Sequence, residues 1–120
     1  MRFILLLFLT FHSIFAQTPY EKGKDLYISS ACYSCHGHKL EGIHRYPYLA
    51  NRAKGYMTYK LKRFREKKAD TQQQEMMIGF AVGLSDEDID NLTTYFRDYV
   101  EDESSERYDD SYENYGDGGS

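Results

Sequence analysis

The tightest constraint on this chain is the run Cys32-Tyr33-Ser34-Cys35-His36. It sets two thiols two residues apart, an imidazole directly after them, and no other cysteine among 120 residues. The two ends of the chain contribute little to a core. Residues 1–16, MRFILLLFLTFHSIFA, start with Arg2 and run apolar from Phe3 to Phe11 apart from Thr10. This predicts a secretory signal peptide cleaved between Ala16 and Gln17, although Ile14 stands where a small residue is commoner. The apolar run is short for a membrane span, and no cysteine follows the site to carry a lipid anchor. Residues 101–120 carry eight acids against Arg107 and have no aliphatic residue, which predicts a disordered acidic tail.

The remaining body, residues 17–100, carries thirteen Lys and Arg against eleven Asp and Glu, so the formal net charge of −4 hides a slightly basic domain. About 84 residues form a marginal core that usually needs a staple. Apolar spacing places helices along it. Pro19 opens one over PYEKGKDLYISSAC, with Tyr20, Gly23, Tyr27 and Ala31 on one face. Residues 36–47 read as loop. A second helix runs from about Ala53 to Lys68, with Tyr56, Met57, Leu61 and Phe64 on its apolar face. A short one falls near Gln72 to Phe80. The last starts after Ser85, a natural N-cap followed by Asp86, Glu87 and Asp88, which complement the helix dipole. Its stripe is Ile89, Leu92, Tyr95, Phe96 and Tyr99. No segment alternates like a strand for long, so the fold class is all-α.

Three chemistries use a pair such as Cys32 and Cys35. Thiol–disulfide exchange needs the pair at a helix start, in a strand–helix–strand setting that this sequence lacks. Structural zinc needs four ligands, which here would require His36 with His38 or His44. Covalent haem needs two thiols on one helical turn to join the two vinyl groups of a porphyrin, with the next residue, His36, as the proximal iron ligand. Haem would also supply the missing staple, and the export signal agrees with it. The disulfide and zinc readings remain open beside it.

Over residues 20–100 the chain resembles the small single-haem class I c-type cytochromes of bacteria. The likeness rests on Cys32-Tyr33-Ser34-Cys35-His36-Gly37, on Pro47-Tyr48-Leu49, on Tyr56, Leu61 and Phe64, and on MIGFAVGLSDEDIDNLTTYF, residues 77–96. The resemblance implies a class I cytochrome c fold of three to four helices around one covalently bound haem c. It implies that the Pro47 carbonyl accepts the proximal histidine's free N–H. Gly23 and Tyr27 would cross against Leu92 and Tyr95, with Phe96 turned toward the haem. Some positions depart from the family. Asn51-Arg52 stands where Gly-Gln is frequent, Lys60 replaces a common glutamine, and Lys67 and Lys68 fall where an arginine often meets a propionate.

Haem iron with one histidine takes methionine, histidine or an open site opposite it. The family register, four residues before Ala81 and seven before Leu84, selects Met77, with Met76 one residue out and Met57 packing the core. His38 and His44 follow His36 too closely to reach the opposite face easily. A His/Met haem implies a soluble one-electron carrier in the periplasm, not an enzyme. It would be a monomer exchanging electrons with partner proteins there or at the outer face of the inner membrane, within a respiratory chain, and would bind no nucleic acid. The rival readings are a haem enzyme or gas-binding protein with an open distal site, and a haem-free thiol oxidoreductase. The basic run from Lys54 to Lys68 predicts either a solvated face or a surface that the acidic tail covers.

Overall fold

The computed structural model describes residues 15–101, so the expected signal peptide over 1–16 and acidic tail over 101–120 lie almost wholly outside the described residues. Five helices and no strand are found among them: α1 (Pro19–Ser29), α2 (Tyr33–His36), α3 (Lys54–Arg65), α4 (Glu75–Ala81) and α5 (Asp86–Arg97). The all-α expectation holds. The single-turn α2 brings the total to one more than the sequence count.

Both terminal helices begin with reciprocal caps. Thr18 Oγ1 accepts from the Glu21 N–H at 3.2 Å while the Glu21 carboxylate accepts from the Thr18 N–H at 3.4 Å, and Pro19 follows as the first helical residue. Ser85 and Asp88 repeat the exchange at the start of α5, each bond 3.0 Å long. The ends were harder to foresee. The helix expected to reach Cys32 stops at Ser29, because Ala31 turns left-handed at φ 57°. The Cys32 N–H then bonds back to the Tyr27 carbonyl and the Ala31 N–H to that of Ile28. That is a Schellman stop with alanine where glycine is usual. α3 ends in the same way three residues short of Lys68. Lys67 lies at φ 63°, Lys68 N–H bonds to Arg63 O, and Lys67 N–H bonds to Phe64 O.

α1 packs across α5, and the crossing rests on Gly23. A Cβ at that position would lie 2.1 Å from the Asn91 carbonyl oxygen and 2.8 Å from Tyr95 Cβ. The contact is therefore with Asn91 and Tyr95, one residue from the expected Leu92. Beside it the Tyr27 ring meets those of Tyr95 and Phe96 at 5.6 and 6.0 Å, and Tyr20 meets Tyr95 edge-on at 5.0 Å. α3 packs on α5 through buried Met57 and Leu61, and Thr58 Oγ1 donates to the fully buried Thr93 hydroxyl at 3.3 Å. The link between α2 and α3 is tied down by its backbone. Leu49 and Ala50 N–H both reach the Leu40 carbonyl, and the Asn51 N–H reaches Phe96 O at 2.7 Å.

Gly23→Ala should lower stability by about 2–3 kcal/mol, since backbone rather than a flexible side chain blocks the new methyl group. Gly79→Ala, in α4 where a Cβ meets nothing within 4 Å, should raise it by about 0.5–1 kcal/mol. Urea midpoints for the two variants check both the signs and their difference.

Candidate functional site

Because α1 stops early, the chain turns at once into α2, a single turn that carries the two thiols and the imidazole. The His36 N–H bonds to the Cys32 carbonyl at 3.0 Å and the Cys35 N–H to the same oxygen at 3.3 Å. Helical spacing of three and four residues brings Cys32, Cys35 and His36 to one side, and all three line a single cavity. Tyr27 braces the end of this turn. Its buried hydroxyl donates to the Gly37 carbonyl at 2.6 Å, and burial raises its pKa well above the usual value, so the proton stays in place.

His36 is buried, only 8% exposed. Its Nδ1 lies 2.7 Å from the Pro47 carbonyl oxygen, an atom that can only accept, so Nδ1 carries the proton. Burial lowers the ring's pKa from its usual value, while the Pro47 bond acts in the opposite direction. A neutral ring of this tautomer has its lone pair on Nε2, the form in which histidine ligates a metal. The expected acceptor for the imidazole N–H is thus found at Pro47. Burial also pushes the Cys32 thiol up to about 11, with Cys35 adding to the rise against a lowering backbone bond. Neither cysteine is in a disulfide.

The cavity has a volume of about 520 Å³, within the range of small-ligand and cofactor sites. Met57, Leu61 and Phe64 of α3 and Leu92 and Phe96 of α5 face it, so these core residues also form its wall. Met76 and Met77 both line it as well. They sit on α4, Glu75–Ala81, which matches the short helix expected near Gln72 to Phe80 with narrower bounds at its start. Met77 is half-buried and packs against the core, while Met76 is 54% exposed. His38 stacks on Tyr33 with ring centroids 4.4 Å apart, His44 is exposed, and neither reaches the cavity. Among the described residues no three His, Cys, Asp or Glu side chains gather as a metal site, which removes the geometry that the zinc reading needs.

The cavity's cations are Arg45, Arg52 and Lys60, whereas Lys67 and Lys68 stand away from it and Lys68 pairs with Glu66 at 3.2 Å. Arg45 gave no sequence signal, since it sits in an irregular loop. The Asn51-Arg52 departure has a local cause. Asn51 lies at φ 57°, a conformation that asparagine tolerates. Its side-chain amide donates to the Arg97 and Tyr99 carbonyls at 3.1 and 2.9 Å, capping the end of α5. Arg52 then stacks between two rings, 5.0 Å from Tyr48 and 5.1 Å from Tyr56. The basic run of α3 is partly neutralised inside the fold. Lys54 pairs with Asp90, Arg63 and Lys60 with Asp70, and Arg65 with Asp86. The tail expected to cover this run lies outside the described residues from position 102 on.

A small helical fold closed around an apolar cavity, with two thiols and a neutral imidazole on one wall, defines a cofactor-carrying domain. The chain belongs to the cytochrome c family, whose sequence model matches residues 20–99. Members of this family bind haem c covalently and transfer electrons to redox partners. Comparison with curated proteins gave no match.

Asn51→Gly should cost about 1 kcal/mol through the lost caps. Asn51→Ala should cost about 2 kcal/mol, because it adds the left-handed backbone penalty. Thermal unfolding of the two variants tests that order.

Proposed function

We propose that this protein is an exported one-electron carrier in which Cys32 and Cys35 attach one haem c through thioethers and His36 and Met77 ligate its iron. The observation that carries the reading is the His36 ring, with Nδ1–H bound to Pro47 O at 2.7 Å and the Nε2 lone pair free, on the cavity wall that Cys32 and Cys35 share. The donor set fits haem: two thiols, a neutral imidazole, a thioether and an apolar lining. Haem c, when bound, supplies a one-electron iron couple whose potential the axial ligands set.

The chain's residues divide the remaining work. Pro47 holds the imidazole in one tautomer and makes it more basic. Leu61, Phe64, Leu92 and Phe96 exclude water. Arg45, Arg52 and Lys60 provide positive charge for the cofactor's carboxylates, with Arg52 fixed between Tyr48 and Tyr56. Met77, half-buried and turned into the cavity lining, supports a filled sixth position over an open enzyme-like site. The raised Cys32 thiol weighs against thiol exchange, which needs a lowered pKa.

The proposed setting is the periplasm, reached by cleavage between Ala16 and Gln17, with partner proteins there or at the outer face of the inner membrane, within a respiratory chain. The protein would act as a monomer. No helix of the described residues is long and apolar enough to cross a membrane.

Intact-mass measurement of exported protein should give the chain from Gln17 plus one haem that survives acid–acetone extraction. An apo mass would refute attachment. Met77→Ala should abolish the weak sulfur-to-iron absorption band and Met76→Ala should retain it. The opposite pattern would transfer the ligand to Met76, retention in both would point to Met57 or to one methionine replacing the other, and absence of the band from the unmutated protein would reopen a histidine at that position.

A further inference from the structure

α4 is seven residues long, too short to hold its shape alone. It packs on α3 but is thinly covered: Met76 and Phe80, which line the cavity, are about half exposed, and Gly79 has open space where a side chain would be. Polar groups therefore fasten this element at both ends. Beyond its C-terminus, Arg65 of α3 donates to the Leu84 carbonyl at 3.2 Å and pairs with Asp86 at 2.7 Å.

Before its N-terminus the fastening centres on Asp70. One carboxylate oxygen lies 2.7 Å from Arg63 and the other 3.3 Å from Lys60, one turn apart on α3. The Asp70 N–H donates to Gln74 Oε1 at 3.2 Å, and Lys60 donates to that same oxygen at 3.3 Å. The side chain of Lys60 is only 16% exposed and also lines the cavity, so this pair is shielded from solvent on one side. The hydrogen bond from Lys60, and then the charge of Arg63, hold the Asp70 carboxyl below the usual carboxylate range.

We propose that Asp70 is a positioning residue for the sixth haem ligand: by bridging Lys60 and Arg63 it pins the segment entering α4 onto α3 and so limits how often Met77 swings away from the iron. The inference rests on Met77 being that ligand. Asp70 acts on the open–closed equilibrium of α4, and an added ligand reads that equilibrium because its apparent affinity scales with the open fraction.

The test is a titration of the oxidised haem-loaded protein with imidazole, following loss of the sulfur-to-iron band. Asp70→Asn should bind imidazole about two- to fivefold more tightly, the range of an ion pair that solvent partly screens. Loss of the band in Asp70→Asn before imidazole is added would be the same result in stronger form. Asp70→Glu should restore most of the wild-type affinity. High salt should bring wild type toward Asp70→Asn, since the clamp is ionic. Asp90→Asn breaks the pair that joins Lys54 of α3 to α5, and should leave imidazole affinity unchanged. Wild-type titration by Asp70→Asn, or equal shifts in the Asp70 and Asp90 variants, would overturn the proposal. A band that persists in Met77→Ala would instead refute the ligand assignment, independently of the clamp.

Discussion

A short chain built around a cofactor cavity has only a shell of contacts of its own to live on. The cavity of about 520 Å³ takes the place that a larger domain would fill with its own side chains. Met57, Leu61, Leu92 and Phe96 consequently serve twice, as packing between helices and as the cavity wall. The rest of the architecture ties that shell together. α1 and α5 press backbone to backbone at Gly23, Tyr27 crosslinks the turn after α2, and the loop at Leu40 gathers two backbone N–H groups onto one carbonyl. Filling such a cavity couples cofactor binding to folding, because the occupied form alone buries both faces of its wall.

The same economy shows in the electrostatics. Carboxylates at positions 70, 86 and 90 come back from distant parts of the sequence to meet the cations of α3. What was basic as a run of letters is partly offset in space. Arg45 and Arg52, beside the cavity, have no carboxylate partner among the described residues, so positive charge is concentrated at the cavity.

Much of this was legible in the sequence because it is written in local rules. The cap at Ser85, the stripe through Ile89, Leu92 and Phe96, and the three-and-four spacing of Cys32, Cys35 and His36 need only neighbours in the chain. Helix ends were less legible, since Ala31 and Lys67 adopt a left-handed conformation that their identities do not announce. That state is imposed by the Schellman bonds around them. The short helix with Met77 was legible in outline but not in its bounds, because seven residues with an internal glycine carry little helical signal, and its packing on α3 supplies what propensity lacks. The part played by Asn51 was hidden for a different reason. Its partners at Arg97 and Tyr99 lie on the far side of the sequence, and only the folded chain brings them near.

The Gly23 crossing also orders events in time. Its two halves, Gly23 and Asn91, are separated by most of the domain, so the principal helix contact closes a long loop in the body. Short helices at the start of the chain have nothing durable to rest on while α5 is still unmade. As the chain emerges from its N-terminus, the turn holding Cys32, Cys35 and His36 therefore appears early and is enclosed late. Throughout that interval both thiols remain open to chemistry that the finished fold would obstruct.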